Sequence, residues 1–351
     1  PSIPAPPEVN EAVRAILDDT DSLLVHGYTS AVGDYEARRA ISDDLNARCG
    51  VATKPEEFFL GCGAAPELVS VFRALAVPGG ELLTVAPYFP EYKPFAEEAG
   101  LIFKVVPPDV PDFQINLEAL TAMLTPNTQA VLLNSPNNPS GVVYTRQTLE
   151  ALAAILRERA AAFGHPIYLI SDEPYRELVY GVEVPYLPAI YPDTIICYSY
   201  SKSLSLPGER IGYVLVPGSC ADSQMVYAAV AGAARSCGHV CAPSLWQKVI
   251  ARCAHLRPDL VSYDRNRQAL YQGLTAMGYK MAKPDGAFYL FIQAPGGDAN
   301  KFSDLAKKEN LLLVPGDGFG CPGYFRICYC VSYDMIQRSL PVFEKLIKQF
   351  Q

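Results

Sequence analysis

Clusters of positive charge are missing from this chain. Its 351 residues include 29 Lys and Arg against 37 Asp and Glu, which gives a net charge of −8. The longest basic runs are the pairs Arg38-Arg39 and Lys307-Lys308. Because proteins that bind nucleic acids need grouped basic residues to neutralise phosphates, we expect no nucleic-acid partner.

Metal-ligand and disulfide patterns are also missing. The ten cysteines include no C-x-x-C pair, and the four histidines, at positions 26, 165, 239 and 255, are scattered. We therefore expect no metal site. Cys197, Cys328 and Cys330 lie in apolar runs of strand length, which is typical of reduced cysteines inside a cytoplasmic protein.

Long apolar runs are absent as well. No stretch reaches the roughly 20 apolar residues that a helix needs to cross a bilayer, so we expect no membrane partner. The longest uncharged segment, 119–145, is rich in Asn and Thr and is interrupted by three prolines. Half of all residues are nevertheless apolar, which is enough to bury a large core and excludes global disorder.

Strand-like and helix-like segments alternate over the first two-thirds of the chain. Apolar runs at 81–86, 130–134, 167–171 and 211–216 have the length of buried strands, and 146–163 has the pattern of a long helix. This alternation predicts an α/β fold in which helices cover both faces of a mostly parallel sheet.

The pattern changes after about residue 235. Long helical segments are followed there by short strands, which predicts a smaller α+β domain. We assign residues 17–245 to the large domain, and residues 1–16 and 246–351 to the small one. No flexible linker separates them, so ligands should bind between the two domains.

Four polar segments each follow a predicted strand: GCGAAPE at 61–67, NSPNNPSG at 134–141, DEPY at 172–175 and SKSLSLPGER at 201–210. The first opens a helix, whose free N–H groups can bind an anion, although a plain turn explains it about as well. Taken alone, the second is typical of a turn, and Asp172 and Lys202 are typical of solvated loop residues.

Taken together, the four segments predict a cofactor site. A parallel sheet would bring all four to one edge, where they supply an anion-binding turn, a carboxylate, an amine and hydroxyl donors. Pyridoxal 5′-phosphate (PLP) needs these groups: a helix N-terminus for its phosphate, a lysine for its aldehyde and a carboxylate for its pyridine nitrogen.

Six motifs occur in order along nearly the whole chain. The most specific is S-x-S-K, with Arg210 eight residues after Lys202. The others are Y-x4-G from Tyr28, P-x-F-x2-Y from Pro87, N-P-S-G, D-E-P-Y, and a late P-G-x2-F-G followed by F-R. With these motifs the chain resembles the PLP-dependent aminotransferases of fold type I, class I/II, and the aspartate-aminotransferase-like enzymes among them.

The resemblance implies catalytic and ring-binding roles for matching positions. Lys202 would hold PLP as an internal aldimine and then move the substrate proton, and Asp172 would pair with the pyridine nitrogen. Tyr175 and Asn138 would bond the phenolic oxygen of the ring, with Asn138 also next to the substrate. Phe89 would stack on the ring, where some relatives have tryptophan, and stacking would be kept.

The resemblance also implies how phosphate and substrate are held. The phosphate would be bound by the backbone of Gly63, Ala64 and Ala65 and by Ser199 and Arg210. Ala65 stands where a hydroxyl residue is common, which removes one possible hydrogen bond. Two further residues complete the site, namely Arg326 for the substrate α-carboxylate and Tyr28, which would reach the phosphate of a second subunit in a homodimer with shared active sites.

The function implied by the resemblance is transfer of an amino group from an L-amino acid to a 2-oxo acid. Two alternatives stay open. One is a PLP-dependent carbon–sulfur β-lyase on the same fold, and the other is a non-catalytic effector-binding domain. A regulator of the second kind normally carries a DNA-binding segment ahead of the fold, and residues 1–351 contain none.

Arg235 is a candidate for recognising the substrate side chain. It follows an Ala-rich stretch at 228–234 and precedes the turn SCGHVCAP. Apolar flanks could desolvate its guanidinium enough to bind a second substrate carboxylate. An ordinary salt bridge or a solvated arginine is the alternative.

Overall fold

The computed structural model describes residues 3–350, so residues 1 and 2 of the predicted small domain, and residue 351, lie outside it. Within this range the helices are α1 Pro7–Asp19, α2 Ser22–His26, α3 Tyr35–Cys49, α4 Ala64–Leu75, α5 Tyr92–Glu98, α6 Leu117–Met123, α7 Arg146–Phe163, α8 Leu187–Ile190, α9 Tyr200–Ser203, α10 Ser223–Ser236, α11 Ser244–Cys253, α12 Leu260–Ala276, α13 Ala299–Lys308 and α14 Tyr333–Ile347. The strands are β1 Phe58–Gly61, β2 Glu81–Val85, β3 Ile102–Val106, β4 Thr128–Asn134, β5 Tyr168–Asp172, β6 Thr194–Ser199, β7 Gly212–Leu215, β8 Tyr289–Gln293, β9 Val314–Pro315 and β10 Tyr324–Cys328. Single 3₁₀ turns lie at Pro55–Glu57, Pro295–Gly297 and Gly316–Phe319.

Seven strands form the large sheet, in the order β1-β7-β6-β5-β4-β2-β3. All neighbouring pairs are parallel except those of β7, which runs antiparallel to both β1 and β6. The predicted mostly parallel sheet is therefore confirmed. Because β1, β4, β5 and β6 run in the same direction, the four polar segments that follow them begin at the same edge.

Alternating side chains bury the sheet under helices on both faces. Leu132 of β4 belongs to the core that contains α4 and α10, whereas its neighbours Val131 and Leu133 belong to the core that contains α7. Helix α7 spans the predicted residues 146–163. Thr145 caps its start by accepting a hydrogen bond from the Thr148 N–H, and Gly164 ends it in the left-handed conformation.

A second sheet of three antiparallel strands, in the order β8-β10-β9, lies under α12 and α14 in a separate core. The apolar run 311–315 suggests a strand, but only Val314 and Pro315 pair with β10.

Helix α1 packs on α11, and its buried Val9, Ala12 and Ile16 share a core with Phe58 of β1. The boundaries at 16/17 and 245/246 stay a prediction. All ten cysteines are free. Among residues 3–350, no helix is both long enough and apolar enough to cross a membrane.

Candidate active site

A cavity of about 400 Å³ lies at the carboxyl edge of the large sheet, where β8 and β10 of the small sheet face it. It brings together ten of the twelve predicted site residues: Ala64, Ala65, Phe89, Asn138, Asp172, Tyr175, Ser199, Lys202, Arg210 and Arg326. Six further residues complete the lining, namely Leu68, Asn134, Pro174, Ser201, Pro207 and Tyr289.

Asp172 is the last residue of β5 and is buried. One of its carboxyl oxygens accepts a hydrogen bond and the other has no partner among the described residues. Its Oδ2 accepts a hydrogen bond from the Tyr92 hydroxyl at 2.5 Å, and the Asn134 amide donates to its backbone oxygen at 2.9 Å. Within the described residues Oδ1 has no hydrogen-bond partner. Burial raises the pKa of Asp172 to about 7, against the opposing effect of the Tyr92 hydrogen bond. The site therefore favours a cationic donor at Oδ1.

Lys202 lies on the short helix α9, which Ser199 caps by accepting a hydrogen bond from the Ser201 N–H. The side chain is half-buried, and its Nζ lies 5.7 Å from the centre of the Phe288 ring. Burial lowers the pKa of Lys202 below its usual 10.5; nearby Cys330 opposes this shift and Arg210 adds to it. A lysine amine with a lowered pKa is a better nucleophile and base near neutral pH.

An anion cradle lies beside Lys202, at the start of α4. No side chain caps this helix, so the first backbone N–H groups stay available. Gly63 has φ of 96°, and a Cβ there would lie only 2.7 Å from Arg210 Nη2. Arg210 Nη1 donates to the Pro207 oxygen at 2.9 Å. We define the anion cradle as Gly63, Ala64, Ala65, Ser199 and Arg210.

Arg326 reaches the cavity from β10 between two aromatic rings. Its guanidinium carbon lies 4.8 Å from the centre of the Tyr289 ring and 5.0 Å from that of Phe319. Its Nη1 donates to Asn138 Oδ1 at 2.8 Å. These contacts hold the guanidinium in place, and a guanidinium can bind a carboxylate through two parallel hydrogen bonds.

Tyr175 also lines the cavity. Its hydroxyl lies 2.9 Å from that of Tyr289, and burial raises the pKa of Tyr175 well above its usual value. Tyr175 therefore stays protonated and can donate a hydrogen bond at neutral pH. Phe89 lines the cavity and contacts the Tyr92 ring edge to face, with ring centres 5.5 Å apart.

Three residues without an assigned role in the sequence analysis also take part. Tyr92 was visible as the last position of P-x-F-x2-Y, and Asn134 as the end of a strand beside Asp172. Tyr289 gave no signal, because it lies in an apolar strand and meets the site only through pairing of β8 with β10. Interactions across sheet partners are invisible to local patterns.

The other two predicted site residues, Gly63 and Tyr28, do not line this cavity, and neither does Arg235. Gly63 precedes Ala64 in the anion cradle. Tyr28 follows α2 with 88% of its side chain exposed, and Arg235 is exposed in the last turn of α10. Their predicted roles, at a second subunit and with the substrate side chain, stay predictions.

The chain is similar to a well-populated enzyme family. Residues 4–342 match the sequence model of "Aminotransferase class I and II". An aspartate aminotransferase of Thermotoga maritima is 30% identical, with 99% of this chain and 89% of the relative aligned. An aspartate/prephenate aminotransferase of Thermus thermophilus is 28% identical, with the same coverage.

Solved structures agree with this match. The crystal structure of an amino transferase from Eubacterium rectale is 50% identical, has a TM-score of 0.98, and aligns with 100% of this chain and 89% of its own. The aspartate aminotransferase of T. maritima has a TM-score of 0.89 at 30% identity, with 99% of this chain and 90% of its own aligned.

Proposed function

The chain belongs to the class I and II aminotransferases, and from this premise we propose how the residues of its cavity carry out PLP-dependent transamination. The single observation that carries the proposal is one cavity that joins three groups. These are the half-buried amine of Lys202, the Oδ1 of Asp172, which is buried without a hydrogen-bond partner among the described residues, and the anion cradle. The substrates of an aminotransferase are an amino acid and a 2-oxo acid.

The residues of the cavity fit PLP. A Cβ at Gly63 would fill the cradle, so glycine keeps space there for a phosphate. The buried, unpartnered Oδ1 of Asp172 suits a protonated ring nitrogen, and Tyr175 and Asn138 offer donors for a phenolic oxygen. Lys202 lines the same space and supplies the amine that an aldehyde needs.

Bound PLP would supply an electron sink for the electrons left when the substrate loses its α-proton. Arg326 would bind the α-carboxylate and so place the α-carbon near Lys202. Lys202 Nζ, whose pKa burial lowers, would accept the α-proton and return it to the neighbouring atom. Asp172 would hold a proton on the ring nitrogen, and Tyr175 would donate to the ring oxygen.

We also propose a homodimer in which Tyr28 reaches the anion cradle of the partner subunit. Leu23 and Leu24 of α2 are 82% and 65% exposed, and the exposed Tyr28 lies four residues after Leu24. Exposed apolar side chains grouped in one segment are typical of an interaction surface. The cytoplasmic location expected from cysteine usage stays a prediction.

A spectrum of the PLP-loaded protein during addition of single amino acids tests the function. The absorption band of bound PLP should fall with one donor, and one 2-oxo acid should form per site without continuing ammonia release. A second 2-oxo acid should restore the band. Steady release of pyruvate and ammonia from a cysteine conjugate would show a β-lyase instead.

A further inference from the structure

Glu67 is a fully buried glutamate to which the mechanism above gives no role. It lies in the first turn of α4, four residues after Gly63, and only 1% of it is exposed. Neither carboxyl oxygen has a hydrogen-bond partner within the described residues. A buried carboxylate without a partner is very costly, so its presence directly behind the anion cradle needs an explanation.

Two glycines make room for this carboxyl group. Gly61 ends β1 and pairs with Gly212, which begins β7. A Cβ at Gly61 would lie 2.8 Å from Glu67 Oε1, and one at Gly212 would lie 2.7 Å from it. The Gly212 position is also 3.0 Å from the Gly63 Cα. The carboxyl group therefore packs against the turn that carries the cradle.

Burial favours the neutral form of Glu67, while the charged groups around it act in both directions. Burial raises the pKa of Glu67 well above its usual value; Asp172 of β5 adds to this rise, and the Gly63 backbone, Arg210 and the Tyr198 backbone oppose it. The remaining titratable groups that face it are Cys62 in the turn and Cys197 of β6, whose thiol pKa values are also raised, chiefly by burial.

A neutral Glu67 is also what the proposed cofactor site requires. If Glu67 were ionised, its negative charge would offset Arg210 and repel a phosphate in the cradle. Two buried acids in different environments can have different pKa values, so that one is neutral while the other is charged. Asp172 is the one that needs a charge to pair with a ring nitrogen, so Glu67 is the one that stays neutral.

We propose that Glu67 is a positioning residue of the cofactor site: as an uncharged carboxyl group under Gly61 and Gly212, it holds the turn 61–63 so that the anion cradle binds the cofactor phosphate. This inference rests on the proposed function. It predicts that Glu67 acts on phosphate binding and leaves contacts to the pyridine ring unchanged.

The test compares binding of pyridoxamine 5′-phosphate with binding of pyridoxamine, which lacks the phosphate, to the full-length apoenzyme by calorimetry. The dissociation constant of pyridoxamine divided by that of pyridoxamine 5′-phosphate gives a ratio that measures the contribution of the phosphate to binding. Glu67→Ala should reduce this ratio by about tenfold, the equivalent of about 1.4 kcal/mol. Glu67→Gln, which keeps the shape without an ionisable group, should restore most of it. Glu81→Gln, a buried glutamate at the opposite edge of the sheet, is the matched control.

A second variant keeps the test decisive if Glu67→Ala folds poorly. Gly61→Ala should press on the carboxyl group and reduce the ratio, but it should cause no further loss in a protein that already carries Glu67→Ala, because the new methyl then has space. The protonation state is read from the infrared difference between wild type and Glu67→Gln at pH 8, which should show a carboxylic-acid C=O band.

Three results would overturn the inference: a carboxylate signal in that spectrum, an unchanged ratio in both Glu67→Ala and Gly61→Ala, or an equal loss in Glu67→Gln and Glu67→Ala. A wild-type protein that binds neither compound would instead overturn the proposed function. The two failures are therefore distinguishable.

Discussion

At the scale of single residues, burial shifts two ionisable groups of opposite charge toward their neutral forms. It lowers the pKa of Lys202 and raises the pKa of Asp172 to about 7. Both shifts suit the proposed chemistry, since Lys202 becomes a usable base and Asp172 gains from a cationic partner. Neither shift is visible in the sequence, where both residues read as solvated loop positions.

The shift at Asp172 predicts a pH-dependent stability of the cofactor-free protein. Between pH 4 and pH 7 the folded state keeps a proton on Asp172 that the unfolded state has lost, so its contribution to stability falls as pH rises. Relative to Asp172→Asn, the wild-type free energy of unfolding should fall by up to about 4 kcal/mol over this range, at 1.36 kcal/mol per pKa unit.

Urea unfolding at pH 4, 5.5, 7 and 8 measures this difference. Asp193→Asn, a substitution of an aspartate that does not line the cavity, controls for the general effect of replacing an aspartate by asparagine. A difference between wild type and Asp172→Asn that does not change with pH would contradict the predicted shift.

At the scale of elements, the ends of strands and the starts of helices build the site. Gly63 shows this best, because its positive φ turns the chain from β1 into α4 and its lack of a side chain leaves space for Arg210.

Gly63→Ala should therefore weaken PLP binding at least tenfold. The new Cβ would lie 2.7 Å from Arg210 Nη2, in addition to a backbone penalty of about 1 kcal/mol at positive φ. Gly100→Ala separates the two effects, since Gly100 also has positive φ but no atom within 4 Å of its Cβ position. Titration of the apoenzyme with PLP and thermal melts measure both. Equal PLP affinity in the two variants would contradict a steric role for Gly63.

Many of the helix and strand positions that build the site could be predicted from the sequence. The helical pattern defined α7 at 146–163, and strand length placed Asp172 and Lys202 at the ends of strands that share an edge. The antiparallel direction of β7 could not be predicted, because a fully apolar run carries no information about direction. Contacts between segments that are far apart in the sequence, such as Tyr289 with Tyr175 and Glu67 with Gly212, were hidden as well, because local patterns carry no information about them.

At the scale of the whole molecule, the cavity is built by one chain from its two sheets, but the role proposed for Tyr28 requires a second copy of the chain. The segment that carries Leu23, Leu24 and Tyr28 is the most exposed apolar part of the region before β1. A dimer would bury it and would explain why a tyrosine predicted to bind phosphate lies outside its own cavity.

Leu24→Lys should convert the proposed dimer to a monomer and weaken PLP binding, because it would remove Tyr28 of the partner subunit from the cradle. Analytical ultracentrifugation gives the mass, and PLP titration gives the affinity. Val261→Lys, a substitution of an apolar residue that is 81% exposed on α12, should leave both unchanged. A wild-type protein that sediments as a monomer yet binds PLP tightly would contradict the shared site.

The proposed function depends on the bond between the amine of Lys202 and PLP in this cavity. Borohydride reduction of the PLP-loaded enzyme, followed by peptide mapping, tests this bond most directly, because reduction fixes the cofactor to the lysine that carries it. We expect a single label on Lys202, and a folded Lys202→Ala variant with no label and no turnover. A label on any other lysine, or a Lys202→Ala variant with near wild-type turnover, would contradict it.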